Sequence, residues 1–281
     1  MPQRKINKIT DKNLYLLANP LNTENKITID IKDVISYAFC AQHYEFYSEE
    51  NVINFKQLYN NAIHEVFYSY LIALQNDVLE NTIEFLKYNW GKKWIKYKTK
   101  KELLTFQIEQ SSAKRDYYES KRKKGIDAII NFDDIMSKDR QCPIIINHKY
   151  EIEILPNIIL TGTFEYIREL TIHNNKKIFQ VVKFMSETNR YSTNVEAIYN
   201  LETIAMSYAF KNLFNVDYFQ SVTIDIEKKK IFASICSDKD YDILKNTVKS
   251  AVIGILNDIK LVSPNKQCYH CEYRNKCSNI L

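Results

Sequence analysis

Apolar residues recur every three or four positions through residues 54 to 88, with Leu58, Ala62, Ile63, Val66, Tyr70 and Leu74 on one stripe, which predicts an amphipathic helix. The same period returns through 99 to 119. From about 144 the pattern shifts to short β-branched runs: IIINHKYEIEIL, IILTGTFEYIREL, KIFQVVKF, YFQSVTIDI and KIFASIC. These predict strands. Helical periods at about 194 to 214 and 239 to 259 interrupt and follow them. The order is therefore helices, three strands, a helix, two strands and a helix. Strands flanked by helices predict an α/β layer architecture.

Composition supports one sizeable core, because the 281 residues are 45% hydrophobic and 13% aromatic. Four glycines and five prolines leave no flexible linker to divide the chain. A single domain over 1–281 is expected, with a helical part at about 34–143, an α/β core at about 144–262, and a cysteine segment at 263–281. The opening MPQRKINKITDKN lacks the apolar centre of a secretory signal, and no apolar run is long enough to span a bilayer. A cytoplasmic, reducing setting with no membrane partner is expected.

Net charge is 39 − 34 = +5, and much of the positive charge lies in two segments. LKYNWGKKWIKYKTKK (86 to 101) has seven lysines and no acid, interleaved with Tyr88, Trp90, Trp94 and Tyr97. AKRDYYESKRKKG (113 to 125) adds a second basic run. Lysines neutralise phosphates and aromatic faces stack on unpaired bases, so Lys92, Lys93, Trp94, Lys96, Lys98, Arg122 and Lys123 are candidate contacts for single-stranded nucleic acid. A solvated helix face with its tryptophans packed inward has the same sequence pattern.

Half of the six cysteines crowd into CYHCEYRNKC, residues 268 to 277. Cys268, Cys271 and Cys277 are spaced C-x2-C-x5-C, and two thiolates three residues apart converge on one metal. A reducing setting favours metal ligation over disulfides. The candidate fourth ligand is Cys40, just after a helix-like apolar run, with His270 as the alternative, and iron–sulfur or structural zinc both fit the spacing. Cys142 and Cys236 are expected to be single core or near-core thiols.

One early cysteine, an α/β core and a closing C-x2-C-x5-C resemble the iron–sulfur nucleases of the PD-(D/E)XK superfamily, in particular the CRISPR-associated RecB-like exonucleases and AddB-type nuclease domains. The resemblance covers residues from about 34 to 278. It implies a restriction-endonuclease-like core with a mixed central sheet, and a [4Fe–4S] cluster on Cys40, Cys268, Cys271 and Cys277 that staples the two ends of the domain. It also implies Mg2+ or Mn2+ at an active site. His64, in LYNNAIHEVFYSYL, matches the family's early helical histidine, with asparagines where a glycine is expected. In LTGTFEYI, Gly162 is followed by Glu165 in the place of a metal-binding aspartate. In IFQVVKFMSE, Lys183 matches the family lysine, but Val181 stands where an acid belongs.

Valine supplies no oxygen for a divalent ion. Three outcomes are open: the acid has moved to the following helix at Glu196 or Glu202, Glu187 supplies it, or the site is dead. In the family that helix carries a glutamine and a tyrosine; here NLETIAMSYAF gives Glu202 and Met206, with Tyr208 nearby. The expected function is metal-dependent hydrolysis of DNA, on single strands, at a degenerate site made by His64, Glu165, Lys183 and Glu196 or Glu202. The alternative is a silent iron–sulfur domain that binds DNA or a protein partner in a recombination, CRISPR-like or phage assembly. A zinc-stapled RNA-binding module is a third class, which iron and sulfide analysis separates from the others.

Overall fold

The computed structural model describes residues 26–49, 55–79, 81–98, 112–138, 141–172, 176–185 and 200–259, together with Cys268, Cys271, Tyr273 and Cys277. In chain order the elements are β1 (Ile27–Asp30), α1 (Ile31–Phe39), α2 (Ala41–Glu49), α3 (Phe55–Gln75), α4 (Thr82–Lys98), α5 (Ser112–Ser137), β2 (Pro143–Leu155), β3 (Ile158–Ile172), β4 (Lys176–Met185), α6 (Leu201–Phe214), β5 (Phe219–Asp225), β6 (Lys230–Ser234) and α7 (Asp238–Leu256). The fold is mixed α/β, with seven helices and a six-stranded sheet among the described residues. Strand order is β1-β3-β4-β5-β6, with β2 also paired to β3. The sheet is mixed: β1 with β3 and β4 with β5 are parallel, while β3 with β4 and β5 with β6 are antiparallel. No described helix is long and apolar enough to cross a membrane.

The chain forms two compact units. The larger comprises Glu50–Tyr150 and Gly162–Tyr241. Its core joins α3, α4 and α5 to one face of the sheet. Phe67 stacks on Phe132 with ring centroids 4.1 Å apart, and Tyr166, Val182, Phe184, Val222 and Ile224 belong to the same cluster. Strand residues alternate faces, so the odd-numbered neighbours meet α6 instead. Phe179 and Phe219 pack against Phe210 at 5.8 and 5.0 Å, and the Ser221 hydroxyl bonds that of Ser207.

The continuous helix expected over 54 to 88 is two helices. The break falls at Asp77, which takes a left-handed φ of 55° that short polar residues tolerate. Asn81 then opens α4, its carbonyl accepting the Phe85 N–H at 3.0 Å. The apolar stripe Leu86, Trp90, Trp94 lies at one-turn intervals and is buried. Trp90 and Trp94 stack at 4.9 Å, and both meet the edge of Tyr59. Gly125 on α5 is needed for this contact, because a Cβ there would overlap the Trp90 indole. The helix expected at 99 to 119 is described from Ser112 and runs on to Ser137; residues 99–111 lie outside the described residues.

The smaller unit holds the described residues up to Glu49, Glu151–Thr161, and those from Asp242 onward. Its strand β1 was not anticipated, since four residues are too short to establish a period. Asp30 caps α1, its Oδ1 accepting the Lys32 N–H at 2.8 Å. The Tyr37 hydroxyl donates to the Ile259 carbonyl at 2.7 Å.

Candidate functional site

Two clusters of chemically active side chains stand out, one in each unit. In the larger unit the site begins with β3 and β4. Their antiparallel ladder pairs Tyr166 with Val182 and runs on to Ile172 and Lys176. Glu165 precedes that ladder and Lys183 follows its first pair. Just beyond the ladder, the Glu165 Oε2 accepts the Phe184 N–H, a main-chain bond taken by a side chain. The other oxygen, Oε1, lies 3.7 Å from the His64 Nδ1. His64 is carried by α3, its ring meeting those of Phe184 at 6.4 Å and Tyr68 at 6.1 Å.

Lys183 and Glu165 are each 8% exposed. The Lys183 ammonium is paired with the Glu202 carboxylate. Glu202 sits in the first turn of α6, whose cap Asn200 accepts the Glu202 N–H at 2.9 Å. That turn presents backbone N–H groups, which favour a carboxylate there. Tyr68 lies one turn beyond His64 on α3, and its hydroxyl is held well above the ordinary phenol range by burial first, then by the charges of Glu165 and Glu202. Four candidates from separate elements thus form two pairs, His64 with Glu165 and Lys183 with Glu202, which the β3–β4 pairing sets side by side. Val181 is 1% exposed and pairs with Ile167 and Ser221, so no oxygen ligand stands at its position. Glu187 and Glu196 lie outside the described residues.

Gly162 has a local role. A Cβ at this position would collide with the Tyr150 hydroxyl, so its hydrogen allows β3 to pass beneath that ring. Tyr68 was missed in the sequence, although it stands four residues after His64, the spacing that places two side chains on one helix face.

In the smaller unit Cys40 ends α1, its N–H bonded to the Ser36 carbonyl at 3.1 Å, and its carbonyl accepts the Tyr44 N–H as α2 begins. The Cys271 N–H bonds the Cys268 carbonyl at 3.3 Å, and the Cys277 N–H bonds the Tyr273 carbonyl at 3.0 Å. Tyr273, between Cys271 and Cys277, is 6% exposed, its ring 5.1 Å from His43 and 5.5 Å from Phe46. The cysteine segment therefore packs by an aromatic contact on α2, the helix that follows Cys40. All six cysteines are thiols, with Cys40, Cys268, Cys271 and Cys277 half-buried. Thiols in this number suit soft metals and iron–sulfur clusters. Among the described residues, no three or more His, Cys, Asp or Glu side chains are gathered closely enough to hold a metal ion. His270 lies outside the described residues.

The remaining thiols divide. Cys236 is half-buried, 3.6 Å from the Ser221 hydroxyl, and burial pushes its thiol up. Cys142 is exposed, which corrects the expectation of a near-core thiol: it precedes Pro143, where β2 starts.

The basic segments also differ from expectation. Trp94 is 4% exposed and stacked in the helical core, so its face is not offered to a base; its spacing of one turn from Trp90 is that of a buried stripe. Lys93 is paired with Glu65 at 2.7 Å, and the Lys96 ammonium lies 4.0 Å from the same carboxylate. Lys92 lies over the ring of Tyr88, which is 62% exposed. Arg122 pairs with Glu119 at 2.9 Å, and Lys123 is exposed. The Lys98 side chain is outside the described residues. Among the described candidates, Lys92, Lys96 and Lys123 are exposed, and Tyr88 offers an accessible ring.

No protein-family model matches the chain, and no curated protein matches it. Among solved structures, one described as the crystal structure of SSO0001 aligns over 96% of this chain and 94% of that chain, at 13% identity and a TM-score of 0.35. A likeness of that degree leaves family and function to the chemistry of the two clusters.

Proposed function

We propose that the larger unit is a divalent-metal-dependent DNA nuclease of the PD-(D/E)XK kind, acting on single strands, in a chain that also carries a [4Fe–4S] cluster on Cys40, Cys268, Cys271 and Cys277. The observation that carries this reading is the pairing of His64 with Glu165 and of Lys183 with Glu202, residues brought from α3, β3, β4 and α6. A buried cation and two carboxylates rarely gather without a use, since each costs free energy to remove from water.

Glu165 and Glu202 are hard oxygen donors that would hold Mg2+ or Mn2+ with His64 beside them, once drawn closer than they stand, since no three described His, Asp or Glu side chains are gathered closely enough to hold an ion. A bound ion supplies Lewis acidity toward a phosphate oxygen and a more acidic water. Glu165 is fixed for this by the Phe184 N–H, which orients its carboxylate. Lys183, with its side chain 10% exposed, supplies positive charge where a phosphate would gather negative charge. Glu202 takes the place of the acid absent at Val181. Lys92, Lys96, Lys123 and Tyr88 would receive the strand's phosphates and one base.

The buried Val181 favours a second reading, a silent domain that binds DNA or a protein partner. Purified protein separates the two. Wild type should cleave labelled single-stranded DNA in Mn2+ and lose that activity in Glu165→Gln; wild type inert in both Mn2+ and Mg2+ removes the enzyme reading.

A further inference from the structure

Tyr68 belongs to the larger unit and has no place in the site as expected from sequence. It sits one helical turn after His64, so both side chains leave α3 on the same face, and their rings meet edge to face at 6.1 Å. It is half-buried, and the charges of both Glu165 and Glu202 act on its hydroxyl. A phenol is protonated at neutral pH even without such neighbours. A phenol whose ring meets that of His64, itself 3.7 Å from the Glu165 carboxylate, brings a donor to a site whose other side chains, apart from Lys183 and His64, are acceptors.

Resting on the nuclease reading, the geometry points to Tyr68 as a further substrate-contacting residue, whose O–H donates to a non-bridging oxygen of the DNA phosphate that reaches Glu165, Lys183 and Glu202. The role suits an uncharged donor. A second ammonium would pair with Glu165 or Glu202 and draw them from other work, whereas a phenol gives one directed bond and leaves both carboxylates ionised.

The test is a binding cycle, so it does not depend on turnover. Full-length wild type and Tyr68→Phe are titrated in Ca2+ against a labelled single-stranded oligonucleotide and a set of strands each carrying one methylphosphonate, which replaces a non-bridging oxygen with methyl. Loss of one hydrogen bond to a charged oxygen predicts about tenfold weaker binding of the unmodified strand by Tyr68→Phe. At one methylphosphonate position wild type should fall by a similar factor and the variant by no more, so that the two losses do not add. A packing role would lower thermal stability and leave the losses additive at every position. Equal affinities, or additivity throughout, overturns the assignment. Wild type that binds but never cleaves would end the nuclease reading, and the cycle would still decide the contact.

Discussion

Changing Glu202 to Gln should uncover the buried Lys183 charge, and the cost follows from how far each partner is withdrawn from water. The two side chains are 10% and 26% exposed, between a surface pair, worth about 0–1 kcal/mol, and a fully buried one, whose breaking costs about 3–5 kcal/mol. Glu202→Gln should therefore destabilise the larger unit by about 2 kcal/mol. Lys183→Met should cost roughly 1 kcal/mol, because the carboxylate it abandons can turn toward solvent. The double variant should cost less than the sum, with a coupling of about 1–2 kcal/mol. Urea unfolding followed by tryptophan fluorescence is the assay: the chain's two tryptophans, Trp90 and Trp94, both lie in this unit's core. Additive losses, to within about 0.3 kcal/mol, would mean that Lys183 and Glu202 do not meet, and the proposal that α6 supplies the missing acid would fall with them.

Three other outcomes test the account. Anaerobically purified protein should be brown and contain iron and sulfide, and Cys40→Ala should lose iron as completely as Cys271→Ala; colourless protein with one zinc, or full iron in Cys40→Ala, contradicts the four-thiol cluster. Asp225 is 1% exposed and burial raises its carboxyl above the usual range, so the folded state holds its proton more tightly and stability declines as pH rises from the ordinary value of about 4 toward the raised one. Asp225→Asn should thus be more stable than wild type at pH 7 and equal to it below about pH 4; an equal or less stable variant at pH 7 refutes the assignment. Gly125→Ala should lower stability by about 1–3 kcal/mol, because the added methyl meets the Trp90 ring; an unchanged urea midpoint would show that α4 and α5 pack more loosely than described.

Strands β2 to β6 were legible because β-branched runs bounded by Pro156–Asn157 and similar breaks leave little choice of period, whereas the four residues of β1 are too few to show one. Helix α3 was legible too, but its end was not: Asp77 breaks it by a left-handed turn that the apolar stripe runs straight across. The basic segment misled for a related reason. Trp90 and Trp94 look the same in sequence whether they face a base or a core, and only the stripe with Leu86 and the small Gly125 opposite decides for the core. At the candidate site His64, Glu165, Lys183 and Glu202 could each be named from short motifs, whereas their meeting depends on tertiary pairing that no motif encodes. Tyr68 was hidden because a tyrosine on a helix rich in apolar residues looks like packing.

The most direct measurement of the central claim is single-turnover cleavage of a labelled single strand by protein freed of contaminating nucleases, in Mn2+, with wild type, Glu202→Gln and Lys183→Met compared side by side. The account predicts cleavage by wild type that disappears on chelation and falls at least about a hundredfold in each variant, the scale expected when one group stabilising the reacting phosphate is removed. Wild type that cleaves while Glu202→Gln keeps the same rate would contradict it, because the acid required by the chemistry would then not be the one paired with Lys183 on α6.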